Sequence, residues 1–202
     1  MPVSTTDLWL TPAENLHMTA LEISNPKSSS ALYANATRLR SVLPSIAGIS
    51  DTHRITLTSP LLSFDAAGLA ISFVPALDGL YTYHHFRQEI FDKATSAGVQ
   101  VTSRYYVPTA HVTIARFVAE RNPGGEGVQE WLERIENINH WLGGLEVKWV
   151  VGKEAAIECR VGRVWYGDGE REVGEHRPYR QPMWLALARA RSWIRRLLGF
   201  YI

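Results

Sequence analysis

The chain has little cysteine, no surplus of one charge and no apolar run of membrane length, and each shortage excludes something. A single cysteine, Cys159, rules out a disulfide framework and a thiolate zinc site, and it fits a reducing compartment. Lys and Arg total 21 against 20 Asp and Glu, a formal net charge of +1. The chain as a whole therefore lacks the basic excess that drives strong binding to long nucleic acid by counterion release. The segment Met1-Pro-Val-Ser-Thr-Thr-Asp7 has neither a basic nor an apolar leader pattern, so no secretory signal is expected and the location expected is cytoplasmic or nuclear. Lysine is scarce, 4 residues against 17 arginines, and arginine's planar fork suits bidentate contact with phosphate or carboxylate.

What is present describes a folded protein. With 202 residues, 46% of them hydrophobic and 20% charged, the chain can bury a real core as one domain or two coupled lobes. Its charge is unevenly placed. Residues 175–202 carry six arginines against Glu175, a surplus of five, which leaves −4 for the rest. The division expected is a domain over residues 1–165, then a Gly-rich connection and an Arg-rich apolar C-terminal helix over 166–202. Four arginines interrupt Pro182–Ile202, so a membrane span is not expected. The favoured reading is a terminal helix packed through Trp184, Leu187, Trp193, Leu197 and Leu198. The sharper alternative is a weak membrane or dimer contact.

Periodicity supplies the elements. Leu16-His-Met-Thr-Ala-Leu-Glu-Ile alternates as a strand with His17, Thr19, Leu21 and Ile23 on one face. A helix follows, capped within Ser28–Ser30, striped by Leu32, Ala36, Leu39 and Leu43, and ended by Pro44. Strands near 55–59 and 69–74 flank the turn-prone Asp65–Gly68. Tyr83, Phe86, Ile90, Ala94 and Ala97 mark a second helix, stopped at Gly98. A strand near 99–107 meets Pro108, and residues 110–117 form another, with His111, Thr113, Ala115 and Phe117 on one face. After a loop over 121–127, Val128, Trp131, Leu132, Ile135, Ile138 and Leu142 stripe a helix closed by Gly143-Gly144. Strands at 145–151 and 155–161 complete the second half. Each half thus reads as a strand carrying His-x-Thr, a helix and two strands, an internal duplication of structure.

The chemistry is carried by that pair of motifs. Seven histidines produce about one His-x-Ser/Thr match by chance, but here both matches fall in apolar strands, each opens an equivalent half, and the other five histidines make none. A spacing of two puts His and Thr on the same side of a strand. A pseudo-twofold arrangement then brings two imidazoles and two hydroxyls around one pocket.

Leu16-His-Met-Thr19 and Ala110-His-Val-Thr-Ile-Ala-Arg116 resemble the paired motifs of the two-histidine (2H) phosphoesterase superfamily, the second especially its RNA-ligase/cyclic-phosphodiesterase branch. The strings Leu-Ser-Phe-Asp-Ala-Ala, Ser-Phe-Val-Pro-Ala and Tyr-Thr-Tyr-His-His are similar to fungal members of that group, and the likeness covers roughly residues 9–165. It implies an α+β fold that is bilobal, with two antiparallel sheets, helices outside and the active site in the groove between lobes. It also implies a phosphodiesterase without metal or other cofactor, acting on a 2′,3′-cyclic phosphate or 2′,5′ linkage of a nucleotide or short RNA end. His17 and His111 are then the acid and base, in an order the sequence does not assign. Thr19 and Thr113 donate to the non-bridging oxygens. Arg116 binds the substrate phosphate, although strict alternation places it on the face opposite His111 unless a bulge or the strand edge re-aims it.

Rival readings are a related esterase with a non-nucleotide substrate and a binding module that holds a nucleotide or protein partner without turnover. Taken alone, each motif reads as a hydrogen-bonded packing position. His84-His85 lacks metal-ligand spacing and is expected to be exposed at a helix start; His53, His140 and His176 receive no role. Trp9, Tyr105, Tyr106 and Trp149 are candidates for base stacking.

Overall fold

The computed structural model describes residues 8–24, 28–103, 109–118, 128–153, 157–162 and the backbone of 170–172. Their order is β1 (Leu8–Leu10), a 3₁₀ turn (Ala13–Asn15), α1 (Ser29–Leu39), α2 (Leu43–Ala47), α3 (Ile49–Thr52), β2 (Thr56–Phe64), β3 (Gly68–Pro75), α4 (Tyr83–Ser96), β4 (Ala110–Phe117), α5 (Val128–Gly143), β5 (Lys148–Val150), β6 (Cys159–Val161) and β7 (Glu170–Glu172). Helices and an antiparallel sheet of order β1-β4-β3-β2-β5 make an α+β fold, and β6 and β7 pair separately as a short antiparallel ribbon.

Alternation in the strands decides which side of the sheet is dry. Leu69, Ile71 and Phe73 of β3 share a face with Val112 and Ala110 of β4 and Leu62 of β2. All are buried in one cluster with Ile46, Ile49, Tyr83, Phe86, Ile90, Ile135, Ile138 and Leu142. Helices α2 to α5 therefore cover this face, where apolar burial contributes about 25 cal/mol per Å². The opposite face carries Ala70, Ser72, His111 and Thr113, which are half-buried.

Local chemistry sets the element ends. Ser28 Oγ accepts from Ala31 N–H and starts α1. The helix ends at Leu39, before Pro44, and Pro44 instead lies in the first turn of α2, where its missing N–H costs nothing. Helix α4 buries Tyr83, Phe86, Ile90 and Ala94 as the stripe requires, and Gly98 follows it at φ +76°. The β2–β3 hairpin turns at Ala66 and Ala67, held by Asp65 Oδ1, which accepts from the N–H groups of Ala67 (2.7 Å) and Gly68 (3.0 Å).

Strand β2 runs further than the expected 55–59 because it absorbs Ser59-Pro60 in an irregularity, with Ser59 at φ +50°. Beyond the end of β5, Asn139 of α5 takes the place of a neighbouring strand. Its amide accepts from Leu62 N–H (2.7 Å) and donates to Leu62 C=O (3.1 Å), so the edge of β2 keeps its backbone partners.

Two expectations are corrected. Residues 16–23 are not a strand: the segment is extended but joins β4 at one bridge only, Met18 to Val112. Residues 99–103 form no strand, although Thr102 N–H donates to Ile23 C=O at 3.0 Å, and 104–108 lie outside the described residues. Strand β7 lies in the segment read as a Gly-rich connection. The 121–127 loop and the C-terminal segment Pro182–Ile202 also lie outside the described residues, and with them the packing, membrane and dimer readings of that segment. Among the described residues no helix is long and apolar enough to cross a membrane.

Candidate active site

The two His-x-Thr motifs meet across one antiparallel bridge. Met18 lies opposite Val112 with its side chain against the core, so His17 and Thr19 project to the other face, as His111 and Thr113 do from β4. Antiparallel register sets His17 beside Thr113 and Thr19 beside His111. The local twofold through the bridge carries each motif onto the other. The pairing thus comes from a single bridge and does not require a full strand at 16–23.

That segment is held from several sides. Leu16, Met18, Ala20, Leu21 and Ile23 pack against the core, and Arg87 of α4 donates to Ala20 C=O. The chain leaves the edge of β4 after Thr11, whose N–H donates to Ile114 C=O at 3.0 Å, makes the 3₁₀ turn and returns at Met18. This excursion supplies the carbonyl of Asn15, 2.8 Å from His17 Nδ1. A carbonyl can only accept, so Nδ1 carries the proton and a neutral His17 keeps its lone pair on Nε2. On β4, His111 Nδ1 lies 2.9 Å from Thr109 Oγ1.

Arg116 shares the His111 face, and a bulge puts it there. Ala70 pairs with Thr113 but Leu69 pairs with Ala115, so Ile114 is an extra residue in β4. Ile114 and Ala115 are both buried, and the alternation after them is reversed, which brings Arg116 opposite Gly68 and onto the side of Thr113. Gly68 is required at this point: a Cβ there would lie 2.2 Å from Ala115 C=O and 3.0 Å from Arg116 Cα. On the other side Arg116 pairs with Trp9 of β1. Of the five residues singled out from the sequence, His111, Thr113 and Arg116 therefore lie on one face of the sheet, and the bridge at Met18 brings His17 and Thr19 to that same side at its edge.

Burial pushes the His111 imidazole below the ordinary histidine range, and the nearby His17 and Arg116 act in the same direction. The backbone of Thr109 and the Asp65 carboxylate oppose the shift without reversing it. The neutral ring is favoured.

Of the aromatic candidates, Trp9 lies on the site face beside Arg116, whereas Trp149 faces the core and meets the Phe73 ring edge-on at 5.3 Å. Tyr105 and Tyr106 lie outside the described residues. His84 and His85 are exposed at the start of α4, where His85 Nδ1 accepts from Thr82 N–H. His53 stacks on Tyr81 with centroids 3.8 Å apart. Sequence reasoning did not select Thr109, Asp65 or the serines of the hairpin, Ser63 and Ser72. The serines were within reach of it, because counting back from the Asp65–Gly68 turn pairs Ser63 with Ala70 and puts both serines on one face. No family model, curated protein or solved structure matches the chain.

Proposed function

We propose that this protein is a phosphodiesterase that opens a 2′,3′-cyclic phosphate, or cleaves a 2′,5′ linkage, on a nucleotide or short RNA end. The observation that carries the reading is the bridge at Met18 and Val112, which sets two His-Thr pairs head to tail on a half-buried face with Arg116 beside them. The finer architecture proposed with it is the bilobal duplication. The twofold at the bridge is its local axis, and the His-Thr face is one wall of a groove between lobes.

In the proposed reaction, neutral His111 takes a proton from water as the water oxygen bonds to phosphorus. The bond from phosphorus to one ribose oxygen breaks, and protonated His17 gives its proton to that oxygen. Thr19 and Thr113 hydroxyls and the Arg116 guanidinium donate to the non-bridging oxygens, where charge builds in the transition state. The indole of Trp9, next to Arg116, offers a flat apolar surface to a base. His111 is given the base role because its surroundings favour the neutral ring.

The test is hydrolysis of 2′,3′-cyclic nucleotides and cyclic-phosphate-ended oligonucleotides by protein purified in EDTA. His17→Ala and His111→Ala should each lower the rate about 10²- to 10⁴-fold. Wild-type rates in both variants would overturn the assignment. Tight nucleotide binding without turnover would make the chain a binding module, and turnover of a generic aryl phosphodiester alone would point to a non-nucleotide substrate.

A further inference from the structure

The site face has a hydroxyl pair that the two motifs leave unused. Ser72 of β3 lies directly opposite His111, on the side away from Thr19. Its Oγ is 2.7 Å from Oγ of Ser63 on β2, and Ser63 Oγ is in turn 3.2 Å from Ala70 C=O. On the β3 side His111 faces Ser72 directly, with Ala70 and Val74 at the diagonal positions, and of these only Ser72 has a side-chain hydrogen-bonding group. Ser63 and Ser72 sit diagonally on adjoining strands, opposite Ala70 and Leu61 respectively, and serine is a poor sheet former where β-branched and aromatic side chains fill such positions better. Their hydroxyls together do what one bulky side chain would not. When Ser63 donates to Ala70 C=O, Ser72 donates to Ser63 and turns lone pairs toward the site. When Ser63 rotates to donate to Ser72, the Ser72 proton is directed to the site. Ser72 can thus accept from or donate to a neighbouring hydroxyl, according to how the serine pair is arranged.

We propose that Ser72, backed by Ser63, is a substrate-contacting residue that holds, on the His111 side, the free sugar hydroxyl next to the phosphate of a 2′,5′-linked substrate or of a bound nucleoside monophosphate, an oxygen distinct from the leaving oxygen that His17 protonates. The inference rests on the proposed phosphodiesterase reading. It divides the face by chemistry: Thr19, Thr113 and Arg116 hold phosphate oxygens, which only accept, and the serine pair holds the sugar hydroxyl, which both donates and accepts.

The experiment compares wild type, Ser72→Ala and Ser72→Thr for binding of inorganic phosphate and of adenosine 2′- and 3′-monophosphate, with kcat and KM for a 2′,5′-linked dinucleotide measured in parallel. Loss of one neutral hydrogen bond should weaken binding of one or both monophosphates about three- to tenfold in Ser72→Ala and lower kcat/KM to a similar degree. Binding of inorganic phosphate should be unchanged, and Ser72→Thr, which keeps the hydroxyl, should restore the wild-type values. Equal weakening for phosphate and nucleotide would assign Ser72 to the phosphate instead, and no change in an active enzyme would remove its role; either overturns this inference and leaves the phosphodiesterase reading standing. A wild type that neither binds nor hydrolyses these nucleotides overturns both.

Discussion

At the scale of single residues the account turns on His111. Its ring is half-buried on β4, with Nδ1 engaged by Thr109, and burial favours the uncharged form. Its NMR titration should therefore have a midpoint below the ordinary value of about 6.5. The linked stability has a definite sign. The unfolded chain takes up this proton first as pH falls, so the contribution is complete above about pH 6.5 and is lost as pH falls through the lower native value. Denaturation measured on either side of that window should show wild type losing more stability on acidification than His111→Ala. A midpoint above 6.5, or equal losses in the two proteins, would contradict the burial argument. Much at this scale was legible in the sequence, because a spacing of two puts His and Thr on one side of any extended segment. The partners were not. Asn15 C=O reaches His17 only because the chain loops out between Thr11 and Met18, and no periodicity encodes that turn.

At the scale of elements, a strand irregularity sets which face of the sheet Arg116 occupies. Counting in twos puts Arg116 on the wrong face, and the extra residue Ile114 moves it to the right one. The bulge is supported from across the sheet by a glycine, since any side chain at Gly68 runs into the backbone of Ala115 and Arg116. Gly68→Ala should cost about 1–3 kcal/mol in stability and, by shifting Arg116, should raise KM for a cyclic nucleotide. Paired denaturation and kinetics check this, and a variant with wild-type stability would show that the close approach is relieved without cost. Helices were the most legible elements. The stripes on α4 and α5 contain every buried residue of those helices, because a helix hides one face whatever covers it. Short, non-local pairings were the least legible. The apolar alternation of 16–23 reads as a strand, yet it is spent on packing against the core, and the segment touches β4 at one bridge.

At the scale of the whole molecule, all of α2 to α5 pack on one side of the sheet. The residues on the other side then form a grid of three rows. Thr19, His111 and Ser72 make one row, His17, Thr113 and Ala70 the next, and Trp9, Arg116 and Gly68 the third. The fold class could be read from the order of helices and strands, but these rows could not, since the pairing of β3 with β4 joins residues some forty positions apart. Under the proposed reading the near-zero net charge of +1 is no obstacle, because a short RNA end would need only a few donors on one face. The central claim is that His111 and His17 act together as base and acid. Its most direct test is the pH dependence of kcat/KM for a 2′,3′-cyclic nucleotide in wild type and the two alanine variants. The account predicts a bell in wild type, loss of the rise on the acid side in His111→Ala, and loss of the fall on the alkaline side in His17→Ala. A flat wild-type profile, or a bell that survives either substitution, would contradict it.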